Sequence, residues 1–330
     1  MESSKQRQSM AVGCTGFRIF AAQYTTMSEI KTPTVVIGTR GSRLALWQAN
    51  YVLDRLTALG VKARLEIIKT QGDKIQHLGF DKLEGKGFFT KEIEDSLLRG
   101  DVDLAVHSMK DLPTSQPEGL CITAVSSRAN PTDSLIIRQE VIDQGATLRL
   151  PPNAVVGTSS ARRKAQMLHL RPDVQLKDIR GNVPTRIKKL QEGQFDAILL
   201  ASAGLERLQL EPEGVQVIRL HPREFVPAPA QGVLALQTCK DNLPIRRMLR
   251  HIHQSDVAIL TNVERRLLQK MEGGCHIPLG AYCERDQMGN YHAYAAYAKS
   301  WDAPLVSINI SSSTHFNLAD DLYDRLQAQI

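Results

Sequence analysis

Val35-Val36-Ile37-Gly38-Thr39-Arg40-Gly41-Ser42 is a short β-branched run that breaks into a glycine-bearing turn, and Ala154-Val155-Val156-Gly157-Thr158-Ser159-Ser160 repeats it later in the chain. A helical pattern follows each run. After the first, Leu46, Trp47, Val52, Leu53 and Leu56 line one side and Gly60 supplies the stop. After the second, Arg162 and Arg163 open the helix. Outward from the first run, a strand is expected at 65–68, a helix at about 91–98 with Thr90 as N-cap, and a third strand at 104–106. Outward from the second, strands are expected at 174–179, 197–200 and 215–220, with a helix at about 184–191. Strands alternating with helices imply parallel α/β sheets, and the restart implies two of them. Phe225 to Gln231, with Pro227 and Pro229 alternating with alanines, reads as a segment crossing between lobes. Beyond it lie a helix at 255–270, alternating runs near 291–298 and 305–310, and a last helix over 317–329, a smaller α+β domain.

The balance of the 330 residues excludes several classes. With 42% hydrophobic and 23% charged residues the chain has the composition of a globular protein. Forty-one basic against 35 acidic residues give +6, a mild excess for a nucleic-acid binder, and no such partner is expected. Five scattered cysteines without a C-x-x-C pair argue against a disulfide framework or zinc knuckle, and the histidines lack metal-ligand spacing, so no metal is expected. No apolar run reaches the length of a membrane span. Residues 1–32, with Lys5, Arg7 and Arg18 and no acid between Glu2 and Glu29, read as a flexible extension; organelle transit peptides share that composition.

Arginine placement carries the functional signal. Arg40 lies in the first strand–helix turn, Arg162 and Arg163 start the helix after Ser160, Arg180 ends a strand, and Arg186 begins the helix after Gly181-Asn182-Val183. An open α/β sheet presents ligand groups at these junctions, where helix N-termini add N–H donors and partial positive charge. Guanidinium forks there hold carboxylates or phosphates equally well. Asp111, after Lys110 and before Leu112-Pro113, sits at a strand exit, where an acid can stabilise a cation and shuttle protons. Cys275, after Gly273-Gly274, is placed to expose a thiol that can carry a covalent group. These residues describe a cleft protein for a polyanionic small molecule, either a two-lobed solute binder or an enzyme.

From Val35 to the C-terminus the chain resembles the porphobilinogen deaminase (hydroxymethylbilane synthase) family. The resemblance rests on Ile37–Ser42 with Leu44–Ala49, Gly85–Glu92, Val106–Thr114, Val156–Arg163, Arg180–Arg186, Pro229–Gly232 and Glu272–Cys275. It implies two doubly wound, periplasmic-binding-protein-like (type II) α/β domains plus a smaller α+β C-terminal domain. The boundaries expected are domain 1 at 33–127 with a return segment at 225–247, domain 2 at 128–224, and domain 3 at 248–330. It implies a dipyrromethane cofactor on Cys275 through a thioether and Asp111 as the catalytic acid beside a cationic azafulvene. Four porphobilinogen units would be added in turn, ammonia lost at each, and hydroxymethylbilane released and passed to uroporphyrinogen-III synthase.

On the same basis Lys110, Ser108, Arg162, Arg163, Thr158, Ser159, Ser160, Arg180 and Gly181 would hold the cofactor. Arg40, Ser42, Gln48, Lys86, Phe89 and Arg186 would hold the substrate. The stretch 71–87 would form a lid. A cytoplasmic monomer is expected, or an organellar one if residues 1–32 are a transit peptide. Three departures stand out: Glu84 replaces a usual Gly, Ala161 a usual Leu, and Ile259-Leu260 occupies a place where arginine is common.

Overall fold

Thirteen strands fall into three sheets in the computed structural model, which describes residues 34–70, 90–274 and 277–330. The first sheet has the order β2-β1-β3-β10-β4, from β1 (Val35–Thr39), β2 (Ala63–Ile67), β3 (Leu104–Ser108), β4 (Leu120–Val125) and β10 (Leu234–Cys239). The second has the order β7-β6-β8-β5-β9, from β5 (Asp133–Arg138), β6 (Val155–Gly157), β7 (Gln175–Lys177), β8 (Ala197–Ala201) and β9 (Val215–Arg219). Helices α1 (Arg43–Ala58) and α2 (Lys91–Arg99) flank the first sheet. Helices α3 (Ala161–Leu170), α4 (Val183–Gln191) and α5 (Ser202–Arg207) flank the second. Each lobe closes on its own apolar core: Ile37, Leu56, Leu104 and Leu236 in one, Ile137, Val156, Leu199 and Phe225 in the other.

The doubly wound two-lobed expectation stands, but the sheets are mixed rather than parallel. β10 runs antiparallel to both β3 and β4, and β5 antiparallel to both β8 and β9. The cause is connectivity. β5 follows a crossing from the first lobe and β10 follows the return crossing, so each sheet receives one strand as the chain changes lobe. β4, β5 and β10 add to the expected strands, since they fall outside the strand–turn–helix repeat that marks β1 and β6. Thr90 occupies the cap of α2, yet its hydroxyl bonds the Glu94 side chain instead of a backbone N–H.

The two crossings lie side by side. Ser126 N donates to Leu234 O at 3.0 Å and Ala129 N to Gly232 O at 3.0 Å. Gly232 sits at φ +90°, and a Cβ there would lie 2.5 Å from Ala129 O, so glycine is required for the two backbones to approach. After α6 (Leu243–Leu249) comes the third sheet, β11 (Leu279–Arg285), β12 (Tyr291–Tyr297) and β13 (Val306–Ser312), all antiparallel, where two strands were expected. Helices α7 (Ser255–Lys270) and α8 (Leu318–Gln327) pack on it through Leu267, Leu268 and Leu322. Ile259 and Leu260 join that core, which accounts for apolar residues at this place. Among the described residues no helix is long and apolar enough to cross a membrane.

Candidate functional site

β3 ends in one tight turn, Met109–Asp111, and the residues flanking its tip anchor it. Met109 and Leu112 are buried in a cluster with Val125, Ala230 and Val233, each contributing about 1.5–3 kcal/mol by leaving water. That anchoring leaves Lys110 half-buried and Asp111 exposed at the carboxyl end of the sheet, where doubly wound folds place ligands. Ser108 accepts a hydrogen bond from Gln48 Nε2 of α1 at 2.8 Å, so these two expected site residues meet.

Lys110 Nζ reaches Gln231 Oε1 in the return crossing at 3.1 Å, and Gln231 Nε2 reaches Asp133 Oδ1 of the second lobe at 3.1 Å. Asp133 is fully buried between two arginines. Arg162 Nη1 donates to Oδ2 at 2.7 Å, and Arg163 Nε and Nη2 donate to Oδ1 at 3.1 and 2.7 Å. Burial disfavours the charged carboxyl, but the two guanidiniums overcome it and hold the group well below the usual carboxylate range. Arg162 also donates to Val226 O and Arg163 to Leu199 O. Two of the three expected cofactor arginines, Arg162 and Arg163, are therefore buried and bonded to the chain's own Asp133, a residue outside the expected site.

Positive charge still dominates. Burial draws the Lys110 pKa down to about 8, with Arg163 and Arg162 adding to the fall against Asp111 and Asp133. Arg186 is lowered to about 10 by burial and then by Arg163 and Arg180. These mutual repulsions link Lys110 of one lobe to Arg162, Arg163, Arg180 and Arg186 of the other. The helix ends supply further donors. Ser42, Ser160 and Asn182 cap α1, α3 and α4 through Ala45 N, Arg163 N and Thr185 N. The remaining hydroxyls are partly engaged. Ser159 Oγ bonds both N–H and C=O of Ile179, and Thr158 Oγ1 accepts from Ser160 N. Arg186 Nε donates to Gly181 O at 2.8 Å, and Gly181 holds a left-handed φ of +113°. Arg40, at the exit of β1, adds to the field that burial and Gln237 set at His107.

Two further residues tie the lobes together at the crossings. Gln231, within the Pro-Ala-Gln-Gly block, bridges the lobes. Arg207 of α5 lies over the Trp47 ring of α1 at 5.6 Å and donates to Gly232 O at 2.7 Å. Arg207 lacks a sequence signal, since it lies at the end of a short, largely buried helix away from the strand–helix junctions. Cys275, Lys86 and Phe89, and the expected lid with Glu84, lie outside the described residues.

Residues 35–247 match the family model for the porphobilinogen deaminase dipyrromethane cofactor-binding domain, and residues 258–291 match the model for the porphobilinogen deaminase C-terminal domain. A porphobilinogen deaminase of Nitratiruptor sp. is 46% identical over 247 residues, 74% of this chain and 77% of that protein. One of Chloroherpeton thalassium is 43% identical over 271 residues, 81% and 83% of the two chains. Among solved structures, a putative periplasmic sulfonate-binding protein of Methylobacillus flagellatus aligns with 71% of this chain and 68% of its own, at 10% identity and a TM-score of 0.42.

Proposed function

The chain belongs to the porphobilinogen deaminase family, and on that premise we propose that it condenses four porphobilinogen molecules head to tail onto a dipyrromethane primer held by Cys275. Each addition releases ammonia, and hydroxymethylbilane is the final product. The observation that carries the reading is the cationic centre around Lys110, Arg163, Arg180 and Arg186, next to one exposed carboxylate, Asp111. That donor set fits a group bearing several carboxylates, since anions offset the burial and, after it, the neighbouring like charges that depress Lys110 and Arg186. Lys110, Ser108, Thr158, Ser159, Ser160, Arg162, Arg163, Arg180 and Gly181 would hold the dipyrromethane. Arg40, Ser42, Gln48, Lys86, Phe89 and Arg186 would hold the incoming substrate. When bound, the dipyrromethane supplies a nucleophilic pyrrole carbon to which the next unit is joined.

The protein's own part is electrostatic and acid–base. Asp111, held out on its tight turn, stabilises positive charge developing on the substrate pyrrole and hands a proton to the departing amine. The arginines hold the acetate and propionate groups and so fix the ring beside that carboxylate. We further read domain 1 as 33–127 with 225–247, domain 2 as 128–224 and domain 3 as 248–330. The placing of β10 in the sheet of β1 to β4 supports that division. The enzyme is read as a cytoplasmic monomer that passes its product to a uroporphyrinogen-III synthase.

The test is an intact-mass spectrum of the full chain purified from cells that make porphobilinogen. A mass increment of two linked pyrroles, absent from Cys275→Ser, is expected. An unmodified chain refutes the reading. Asp111→Asn is expected to load the adduct and lose nearly all ammonia release.

A further inference from the structure

The turn that presents Asp111 is held from outside its own lobe. Arg265, on α7 of the C-terminal domain, is 8% exposed. Its Nη1 donates to Met109 O and Leu112 O, each at 3.0 Å, and its Nη2 to Pro113 O at 2.7 Å. On the other side the turn hangs from Met109 N, bonded to Val233 O at 2.9 Å. One planar fork thus gathers three carbonyls from a five-residue stretch around Asp111, which a single ammonium on a flexible stem cannot reproduce.

Docking of α7 has a separate fastener. The neighbouring Glu264 pairs with Arg128 Nη1 at 2.6 Å and accepts from Ala230 N and Cys283 N. Arg265, by contrast, places three side-chain bonds on the Asp111 turn. α7 then ends at Lys270, five residues before Cys275 in sequence. We propose that Arg265 is a positioning residue: it sets the Asp111 carboxylate by clamping the Met109–Pro113 backbone, so that the helix leading to the cysteine also registers the acid. The proposal rests on the reading of Asp111 as the catalytic acid.

The test uses the full chain carrying its covalent adduct, verified by mass. Arg265→Lys keeps the charge and loses the fork. Its kcat for ammonia release should fall by roughly 10- to 100-fold, the cost of a small misplacement of a reacting group, with KM for porphobilinogen within about twofold. In an Asp111→Glu background, where the carboxylate is already displaced by a methylene, the same change should cost less than about threefold, because coupled residues are not additive. Undiminished kcat in Arg265→Lys, or an equal fold-loss in both backgrounds, overturns the proposal. Glu264→Gln loosens docking of the same helix without touching the clamp. If it lowers kcat as much as Arg265→Lys, the clamp is merely structural and the proposal fails. Full turnover in Arg265→Lys with an inactive Asp111→Asn defeats this inference alone, whereas turnover retained by Asp111→Asn defeats it together with the reading of the acid.

Discussion

Replacing Asp133 with asparagine removes one charge from a fully buried site and leaves two guanidiniums without their counter-ion. The carboxylate accepts four side-chain bonds, from Arg162 Nη1, Arg163 Nε and Nη2, and Gln231 Nε2, between 2.7 and 3.1 Å. An amide preserves one acceptor but turns an N–H pair toward a cation. Breaking one partner of such a buried pair costs about 3–5 kcal/mol, because the surviving charge cannot be re-solvated. At roughly 2–4 °C per kcal/mol for domains of comparable size, Tm should fall by about 6–20 °C. The assay is thermal unfolding of the purified full chain at neutral pH, followed by circular dichroism. The double variant Asp133→Asn, Arg162→Gln should lose less than the sum of the two single variants, since it removes one of the stranded charges. A Tm shift of less than about 2 °C in the single variant, or strict additivity in the double, would refute the claim that these arginines depend on Asp133.

Three other outcomes follow from the same geometry. Lys110, with its pKa near 8, sheds its proton as pH rises through that value. Its grip on the carboxylates of the tethered dipyrromethane then fades, so kcat for ammonia release should fall between pH 7 and 9.5, and Lys110→Arg should flatten the fall; parallel profiles count against Lys110 as a carboxylate holder. His107 is buried, bonded to Gln237 Oε1 at 3.1 Å, and lowered to about 4, first by burial. Between its free value near 6.5 and 4 the unfolded chain takes up a proton that the folded one refuses. Stability should thus drop across that window by about 3 kcal/mol, and His107→Gln should remove that slope from urea titrations. Gly232→Ala would put a Cβ 2.5 Å from Ala129 O at a φ of +90°. A destabilisation of at least about 2 kcal/mol is expected by chemical denaturation, and a neutral result would mean that the crossings part easily.

The parts of the fold that could be read from sequence are those with a local signal. The β1 and β6 runs, the helices that follow them, and the bounds of α7 each depend on residues a few positions apart. β5 and β10 depend on partners far along the chain, so a buried run such as Leu234-Ala235-Leu236 carries no mark of which sheet receives it or in which direction. The site shows the same division. Arg40, Arg180 and Arg186 announce themselves at strand–helix junctions, and Asp111 by its turn. Asp133 and Gln231 gain their meaning only from what lies opposite them once the lobes are assembled. Arg162 and Arg163 could be placed at the site by position alone, but not their bonds to an internal acid.

The strand exchange has a consequence for how the polypeptide must be made. β3 and β4 are neighbours in order of synthesis, yet β10 lies between them. A nascent chain emerging as far as β9 holds an amino-terminal sheet split down its middle, with β4 lacking its hydrogen-bonding neighbour. The first lobe therefore closes after the second has been produced, and a fragment cut at the lobe boundary should be captured by chaperones or aggregate instead of folding alone.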